Sequence, residues 1–225
     1  MNLSIILPIL NEQEGIRDSI ADILSYSKYF SELEIIAVND GSKDNTLSIL
    51  EDLKKKNKRI KIVSHKTNRG YGAALRSGIK NSSYDWVFFT DADMQFDMKE
   101  LLGFLPHTKN FDFIVGFREG RADPPKVKFR SWVYNRLVRM LFGLPLKDVD
   151  CAFKLMKKTA VSKIRTSSNS FFISAELMTK AHKKRLRIKE IGVKHRPRRK
   201  GKSTVTIKRV LHTILDLVKL RLSYI

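Results

Sequence analysis

Five apolar runs rich in β-forming residues recur along the first half of the chain, and amphipathic segments lie between them. The runs occupy residues 3–7, 33–39, 60–64, 85–89 and 111–116, and the segments lie near residues 13–29, 43–56, 70–80 and 97–105. This alternation predicts strands and helices in turn. It is typical of a doubly wound, mainly parallel α/β sheet, which binds ligands beyond the carboxyl ends of its strands.

Polar clusters follow four of the predicted strands. They are Asn11-Glu12, Asp40-Gly41-Ser42, Asn68-Arg69-Gly70 and the stretch from Asp91 to Gln95. Because the carboxyl ends of parallel strands meet at one edge of a sheet, we expect the four clusters to face one crevice. Asp44, which follows the second cluster, is expected to cap the next helix.

The stretch from Asp91 to Gln95 carries three oxygen donors, on Asp91, Asp93 and Gln95, directly after the apolar residues 86–89. Such oxygens suit a hard divalent cation, Mg²⁺ or Mn²⁺, which commonly bridges the phosphates of a nucleotide. An Asp-x-Asp pair alone also occurs in turns and helix caps. Its position beside the other polar clusters favours the metal site.

The other strand ends offer groups suited to the rest of a nucleotide. Asp40 can accept hydrogen bonds from a base or a ribose and Glu12 from ribose hydroxyls, while Pro8 fixes the exit of the first strand. Arg69 and Gly70 open a helix whose N-terminal amides, together with the guanidinium, could hold a diphosphate.

Beyond Gly116 the alternation lapses, and two amphipathic segments follow. Residues 129–142 place Trp132 and other apolar side chains between arginines, and residues 207–222 repeat the helical spacing with Lys and Arg to the side. Both segments could pack on the core. Arg-rich polar faces and an exposed Trp would instead favour helices that lie on a membrane.

The chain is strongly basic, since 44 Lys and Arg against 23 Asp and Glu give a formal net charge of +21. The surplus is concentrated in residues 118–139 and 180–209, whereas residues 1–115 are close to balanced. Basic runs are often solvated faces. Two runs of the same sign favour a polyanionic partner, which could be nucleic acid, anionic lipid headgroups or a phosphate-bearing substrate.

Length and composition predict one catalytic unit. A chain of 225 residues with 42% hydrophobic content suits a single globular domain. No run approaches the roughly eighteen apolar residues of a spanning helix, and the first residues read as a strand rather than a signal peptide, so a cytoplasmic location is expected. Cys151 is the single cysteine, which excludes an internal disulfide and a cysteine-based zinc cluster.

Six motifs occur in order along the chain. They are Pro8-x-x-Asn11-Glu12, Asn39-Asp40-Gly41-Ser42-x-Asp44-x-Thr46, Asn68-Arg69-Gly70-x-Gly72, Asp91-Ala92-Asp93-x-Gln95, Gly116-x-Arg118 and Arg198-x-x-Gly201-x-Ser203. Together they resemble the GT-A glycosyltransferases of family 2, in particular the polyprenyl-phosphate sugar transferases typified by dolichyl-phosphate mannose synthase. The resemblance covers about residues 3 to 204. It implies one GT-A domain over residues 1–225, with a nucleotide-sugar and metal half (1–116) and an acceptor and membrane-facing half (117–225).

The resemblance also implies roles for individual residues. Nucleotide-sugar contacts are expected from Pro8, Asn11, Glu12, Asp40, Gly41, Arg69, Gly70, Asp91 and Ala92, and metal contacts from Asp91, Asp93 and Gln95. Acceptor contacts are expected from Arg118, Arg130, Ser131, Glu176, Arg198, Lys202 and Ser203, with Asp93, Arg118 and Arg198 acting in catalysis.

Three departures from related patterns bear on these expectations. Thr204 stands where the family usually has Lys, so either Lys202 supplies the charge or the loop acts differently. Ala152 replaces the Gly that often precedes the Phe at 153, which affects the expected backbone geometry. The Gln-x-x-Arg-Trp element of processive polysaccharide synthases is absent from the sequence, which argues against a polymerase.

The expected reaction is inverting transfer of a hexose from a GDP- or UDP-hexose to a polyprenyl phosphate at the inner face of the cell membrane. The protein would be peripheral there and bind an anionic membrane surface, with a membrane-protein partner as a further candidate. A phosphate acceptor is largely ionised near neutral pH and needs no strong base.

Three alternatives stay open. A sugar-hydroxyl acceptor, as in cell-surface polysaccharide synthesis, would require a general base, for which Asp93, Asp150 and Glu176 are candidates; Glu176 could equally be structural or position the acceptor. A nucleotidyltransferase usually needs a glycine-rich loop at the first strand, which residues 8–11 are not. A nucleic-acid-binding module is favoured by charge alone and does not need four polar strand ends, so no nucleic-acid partner is expected.

Overall fold

A seven-stranded sheet forms the centre of the molecule. The structure is a computed structural model that describes residues 1–121, 123–197 and residues 217, 220 and 221. The strands are β1 (Asn2–Ile9), β2 (Glu32–Asn39), β3 (Ile60–Ser64), β4 (Trp86–Thr90), β5 (Phe113–Glu119), β6 (Phe153–Lys157) and β7 (Ile188–Lys194). The helices are α1 (Ile16–Ser25), α2 (Thr46–Lys56), α3 (Tyr71–Asn81), α4 (Pro125–Phe142), α5 (Lys158–Val161) and α6 (Ile173–Lys183), with 3₁₀ helices at Ser27–Tyr29 and Met98–Lys109.

The first four strands pair in parallel, as the alternation predicts. β1 lies between β2 and β4, and β3 pairs with the other side of β2. Leu3, Ile5 and Ile6 of β1 are inaccessible to solvent. Strands buried on both faces of a parallel sheet read as continuous apolar runs, which is why these strands could be predicted from the sequence.

Two further strands complete the sheet in the second half of the chain, where the apolar pattern predicts none. The strand order is β3-β2-β1-β4-β6-β5-β7, with β6 antiparallel to both of its neighbours and β7 parallel to β5. Both strands lie beyond Gly116, where the alternation of apolar runs and amphipathic segments lapses, and polar residues interrupt each of them. The α/β, mainly parallel architecture is confirmed, with one antiparallel insertion.

Helix α4 begins about one turn before the amphipathic segment predicted from the sequence. Proline is favoured in the first turn of a helix, as Pro125 is here, and Gly143 ends the helix in the left-handed conformation with a φ of 65°. Phe129, Trp132 and Met140 are 64%, 58% and 70% exposed. Core packing therefore does not account for these three apolar side chains.

The second predicted amphipathic segment, residues 207–222, lies mostly outside the described residues. Of it, the structure describes Leu217, Leu220 and Arg221, and both leucines are buried. Over the described ranges, no helix combines the length and apolar character needed to cross a bilayer.

Candidate active site

The four polar strand ends meet at one edge of the sheet, as predicted. The Asp40 amide donates to the Ile9 carbonyl (2.8 Å), and the His65 amide donates to the Asn39 carbonyl (2.9 Å). Parallel pairing of β1 with β4 brings residues 91–95 to the same edge.

Asp40 is a buried carboxylate that holds the loop after β3. Its Oδ1 accepts from the Arg69 amide (2.9 Å) and lies 2.6 Å from His65 Nδ1, and its Oδ2 accepts from the Gly70 amide (2.8 Å). An ionised carboxylate offers about four acceptor positions. These three contacts leave capacity for a further donor at Oδ2, so the predicted contact with a base or ribose stays a prediction.

The turn after β1 packs against the turn after β2. Asn11, which has a φ of 55°, accepts from the Lys43 amide (2.8 Å), and its own amide donates to Ser42 Oγ (3.0 Å). Asp44 accepts from the amide of Thr46 (3.0 Å), the first residue of α2. Asp44 therefore satisfies an amide of the first turn of α2, but the N-cap itself is Asn45, whose side chain makes no capping hydrogen bond.

Pro8 and Glu12 lie on the same wall as Asn11. Pro8 is within β1, opposite Val38 of β2. The Glu12 amide donates to Thr46 Oγ1 (2.9 Å), and the residue is partly exposed. Their contacts with a nucleotide remain predictions.

Gly41 and Gly70 allow two backbones to approach each other at the crevice. Their φ angles are 71° and 95°, which residues with side chains rarely adopt. A Cβ on Gly41 would lie 2.5 Å from the Thr67 carbonyl carbon, and a Cβ on Gly70 would lie 2.2 Å from the Asn169 carbonyl oxygen. These glycines therefore have a packing role beside the nucleotide contact predicted for them.

The stretch from Asp91 to Gln95 forms a tight turn directly after β4. Met94 has a φ of 59°, and Asp93 Oδ1 accepts from the Gln95 amide (3.1 Å). The Gln95 side chain donates through Nε2 to the Arg196 carbonyl (3.2 Å). This contact uses the nitrogen of the Gln95 side chain and not the oxygen that a metal would require.

Asp91 and Asp93 fit a divalent cation. Burial, followed by the negative charge of Asp93, raises the pKa of Asp91 to about 7, and a hydrogen bond from Tyr71 Oη (2.9 Å) opposes the rise. A cation would relieve the repulsion between the carboxylates, and their oxygens suit Mg²⁺ and Mn²⁺. Among the described residues, no group of three His, Cys, Asp or Glu side chains could hold a metal. A cation here would therefore share its coordination with amide, water or phosphate oxygens.

Arg118 is paired with a buried carboxylate. Its Nε donates to Asp148 Oδ2 (2.6 Å) and its Nη2 to Asp148 Oδ1 (2.8 Å). Burial alone would raise the pKa of Asp148, but the hydrogen bonds and charge of Arg118 outweigh it and hold that pKa below its usual range. Asp148 engages two nitrogens of this guanidinium, and the contact of Arg118 with a phosphate stays a prediction.

Glu176 stabilises the loop that precedes α6. The buried carboxylate accepts from the amides of Ser167 (3.0 Å) and Ser168 (2.9 Å) and pairs with Lys180 Nζ (2.6 Å). Burial opposes ionisation, but the hydrogen bonds and charge of Lys180 and the two amides lower the pKa of Glu176. Of the roles considered for this residue, the geometry favours the structural one.

Asp150 is a partly buried residue whose carboxyl group differs from that of Glu176. Within the described part of the chain its Oδ1 has no hydrogen-bond partner. Burial, followed by the negative charge of Asp148, raises the pKa of Asp150 to about 6. A carboxyl group that titrates near neutral pH is suited to proton transfer.

The remaining predicted acceptor residues divide into two groups. Arg130 is exposed on α4, where its Nε donates to the Lys126 carbonyl (3.3 Å). Ser131 Oγ, on the same helix, accepts from Arg121 Nη1 (2.6 Å). The other predicted residues, Arg198, Lys202 and Ser203, and the departure at Thr204, lie outside the described residues.

Three residues at this edge of the sheet were not predicted from the sequence. Tyr71 forms a hydrogen bond with Asp91, and His65 forms one with Asp40. Tyr71 is the unspecified position of the Asn68–Gly72 motif, and His65 lies outside all six motifs. Lys154 is fully buried on β6, where its Nζ donates to the Cys151 carbonyl and burial lowers its pKa. A lysine inside an apolar run was the one signal in the sequence that could have drawn attention to it.

The fold and the site together define a class of protein. A mainly parallel α/β sheet with paired carboxylates after its fourth strand is the GT-A architecture that the motifs imply. Residues 4–165 match the family described as glycosyl transferase family 2. Because the match spans most of the chain, the protein belongs to glycosyl transferase family 2.

Similar proteins include two curated enzymes. The chain is 28% identical over 224 residues to the dodecaprenyl-phosphate galacturonate synthase of Rhizobium johnstonii, a match that covers 97% of this chain and 66% of that protein. It is 29% identical over 251 residues to the dolichyl-phosphate beta-glucosyltransferase of Saccharomyces cerevisiae, covering 99% of this chain and 75% of that protein. The chain thus spans 66% to 75% of the length of these two relatives.

A solved structure confirms the fold. The glucosyl-3-phosphoglycerate synthase of Mycobacterium tuberculosis, in complex with Mn²⁺, UDP and glucosyl-3-phosphoglycerate, superposes with a TM-score of 0.75. The match has 18% sequence identity and covers 99% of this chain and 79% of that chain.

Proposed function

We propose that this protein transfers a hexose, with inversion, from a nucleotide diphosphate sugar to a polyprenyl phosphate. The observation that carries the proposal is the convergence of Asp40, the Arg69–Gly70 loop and the Asp91–Gln95 turn at one edge of the sheet. The names of the two curated relatives, which include dodecaprenyl phosphate and dolichyl phosphate, support the class of acceptor.

The donor would lie across the strand ends. Pro8, Glu12 and Asp40 would hold the nucleoside, and the exposed Arg69 would face the diphosphate. A Mg²⁺ or Mn²⁺ ion held by the Asp91–Gln95 turn would stabilise the charge on the leaving diphosphate. The Mn²⁺ and UDP in the mycobacterial structure make these two the first candidates to test.

A phosphate acceptor suits the carboxylates of this site. Glu176 is engaged by two backbone amides and by Lys180 and is therefore a poor base. A phosphate monoester is largely ionised near neutral pH, so its attack on the anomeric carbon requires no proton transfer. The basic second half of the chain would attract such an acceptor.

Asp150 supports a second candidate function, transfer to a sugar hydroxyl. Its buried oxygen lacks a hydrogen-bond partner in the described structure, and its pKa of about 6 would let it accept a proton. Asp150→Asn separates the two functions. Transfer to a polyprenyl phosphate should be largely retained in that variant, whereas transfer to a hydroxyl should be lost.

A peripheral position at the inner face of a membrane follows from the same proposal. Helix α4 exposes Phe129, Trp132 and Met140, and the exposed Arg130 and Arg136 lie on the same helix. Aromatic side chains beside arginines are typical of helices that lie in the membrane interface.

The experiment that tests the proposal is incubation with a panel of labelled nucleotide sugars, a polyprenyl phosphate and Mn²⁺ or Mg²⁺, followed by counting of the lipid extract. We expect label from one UDP- or GDP-hexose to enter the lipid, and excess EDTA to prevent this. Label that enters a free sugar acceptor but no lipid would instead establish the hydroxyl-acceptor function. Full transfer in excess EDTA would contradict the metal site at residues 91–95.

A further inference from the structure

Asp40, His65 and Ser77 form a chain of hydrogen bonds that joins β2, the end of β3 and α3. His65 Nδ1 lies 2.6 Å from Asp40 Oδ1, and His65 Nε2 lies 2.9 Å from Ser77 Oγ. The side chains of Asp40 and His65 are each 5% exposed. Because a carboxylate only accepts, Nδ1 carries the hydrogen, and the Nε2 of a neutral imidazole accepts from the Ser77 hydroxyl.

This connectivity is also that of an activated serine nucleophile, but the position of Ser77 argues against that chemistry. Ser77 lies in the middle of α3, Tyr71–Asn81. Backbone amides there are engaged in the hydrogen bonds of the helix itself. They cannot turn toward an oxyanion beside Ser77, and a nucleophile of this type requires such donors. The hydrogen bond to Ser77 therefore anchors the His65 side chain to α3.

The other end of the chain of bonds reaches the loop that precedes α3. Asp40 accepts from the backbone amides of Arg69 and Gly70, at 2.9 Å and 2.8 Å. Gly70, with a φ of 95°, is also packed closely against the Asn169 carbonyl. The direction of the Asp40 carboxylate thus determines where the backbone of Arg69 lies.

We propose that His65 is a positioning residue for nucleotide binding. By fixing Oδ1 of Asp40, the imidazole holds both oxygens of that carboxylate toward the Arg69 and Gly70 amides, and so places Arg69 where it can meet a diphosphate. The inference rests on the proposed function, since it assumes that a nucleotide diphosphate binds at this edge of the sheet. It gives a role to a buried histidine whose two ring nitrogens contact Asp40 and Ser77.

Two substitutions of His65 test the roles of its two ring nitrogens separately. In His65→Asn the side-chain amide can take the place of Nδ1 and still donate to Asp40. In His65→Gln the longer side chain places its amide nearer the position of Nε2, toward Ser77, so Asp40 loses its side-chain donor and keeps the two backbone amides. Ser77→Ala removes only the outer contact, and alanine is favoured in a helix.

The test is the affinity of the full chain for UDP and for GDP with Mn²⁺ present, measured calorimetrically beside the melting temperature. We expect His65→Gln to weaken binding of the preferred nucleotide by about tenfold, as loss of a hydrogen bond to a charged group implies. His65→Asn should stay within about threefold of the wild type, and Ser77→Ala should weaken binding by about two- to fivefold, because His65 is then less constrained. In turnover assays, the KM for the donor should rise while kcat at saturating donor is retained.

Two outcomes separate this inference from the proposed function. If the wild-type chain binds neither nucleotide, the proposed function fails, and this inference fails with it. If the wild type binds but His65→Gln binds equally well, or shows a lower melting temperature with unchanged affinity, His65 is only structural and the inference alone is overturned. If His65→Gln does not fold, Ser77→Ala decides, since wild-type affinity in that variant would overturn the inference.

Discussion

Individual charged side chains at the crevice are held by partners from distant parts of the chain. Arg118 is paired with Asp148, and Asp40 is bonded to His65 and to the loop after β3. A charged group that loses water at the edge of a sheet needs such partners, because an unpaired buried charge is costly. The same partners determine how each group faces a ligand, so they are the residues through which function can be altered without touching a substrate.

The Tyr71 hydroxyl provides one such test. Tyr71→Phe removes the hydrogen bond to Asp91 Oδ1 and with it a donor that favours the ionised form of this carboxylate. We expect half-maximal nucleotide binding to require about tenfold more Mn²⁺, since such a bond contributes about 1.5 kcal/mol. The measurement is the Mn²⁺ concentration that gives half-maximal binding of UDP or GDP.

Tyr29→Phe is the matched control, because Tyr29 is 49% exposed, lies in the 3₁₀ helix Ser27–Tyr29 and stacks on Tyr26. Its Mn²⁺ requirement should equal that of the wild type. If Tyr71→Phe also needs no more Mn²⁺ than the wild type, the hydroxyl does not position Asp91.

Comparison of Gly41 with Gly143 separates two effects on the free energy of unfolding, that of close packing and that of a positive φ. Gly41→Ala and Gly143→Ala place a methyl group on residues with φ angles of 71° and 65°, but a Cβ has a neighbour at 2.5 Å at Gly41 and none within 4 Å at Gly143. Both variants should lose about 1 kcal/mol from backbone strain, and Gly41→Ala should lose about 1–3 kcal/mol more. Urea denaturation of the two variants measures the difference. Equal losses would show that the turn after β2 can move away from the loop at Thr67.

Much of this residue-level picture could be predicted from the sequence, but the partners could not. Asp91, Asp93 and Asp40 were predicted at strand ends because an apolar run directly precedes each of them. The pairing of Arg118 with Asp148 and of Asp40 with His65 depends on which loops the sheet brings together. The local spacing of residues does not predict these contacts. The pairing of Arg118 with Asp148 is therefore known only from the structure, and its contact with a phosphate stays a prediction.

At the scale of secondary structure, the sequence likewise predicted some strands and missed others. The parallel strands of the first half alternate with amphipathic segments and were all predicted, although β3 and β4 have only five residues each, as β6 has. β6 and β7 lie beyond Gly116, where that alternation lapses, and polar residues interrupt both of them. β6 is held by antiparallel neighbours on both sides and β7 by pairing with β5. Strands interrupted by polar residues in this way are stabilised by their place in the sheet more than by their own composition.

The loop before α6 is an element whose stability should depend on pH. The pKa of Glu176 is lowered, so the stability it contributes is present above its ordinary pKa of about 4.5 and is lost as the pH falls through the lower value of the folded state. Glu176→Gln should therefore cost about 2–4 kcal/mol at pH 7 and progressively less below pH 4.5. Urea denaturation at pH 7, 5 and 3.5 measures this difference.

Glu14→Gln, at an exposed position before α1, is the control and should change stability little at any of these pH values. Transfer activity of Glu176→Gln should remain measurable wherever the variant is folded. A stability difference that stays constant from pH 7 to 3.5 would mean that the carboxylate charge does not hold the loop. Loss of all transfer in a folded variant would restore Glu176 as a candidate base.

Across the whole molecule, charge and exposed apolar surface lie in the same half of the chain. The net charge of +21 is concentrated beyond residue 117, and the exposed Phe129, Trp132 and Met140 lie on α4 in that half. Phe129 and Trp132 stack on each other, with ring centroids 6.1 Å apart. A surface that combines cations with stacked aromatic rings is suited to anionic lipid headgroups, for which each Lys or Arg near the surface contributes about 1 kcal/mol.

We therefore expect binding to vesicles that contain anionic lipid, and weaker binding as salt is raised, because counterions screen the attraction. The triple variant Phe129→Ser, Trp132→Ser, Met140→Ser should reduce binding at least about tenfold at low salt, since it removes the apolar contribution and leaves the charge unchanged. Tyr29→Ser, at a residue exposed elsewhere on the molecule, should bind like the wild type. Co-sedimentation with neutral and anionic vesicles measures each case. Equal binding of the wild type to both kinds of vesicle would show that its positive charge does not contribute to membrane binding. Binding to neither kind at low salt would show that α4 is not a membrane-binding helix and that the basic half of the chain serves the phosphate acceptor alone.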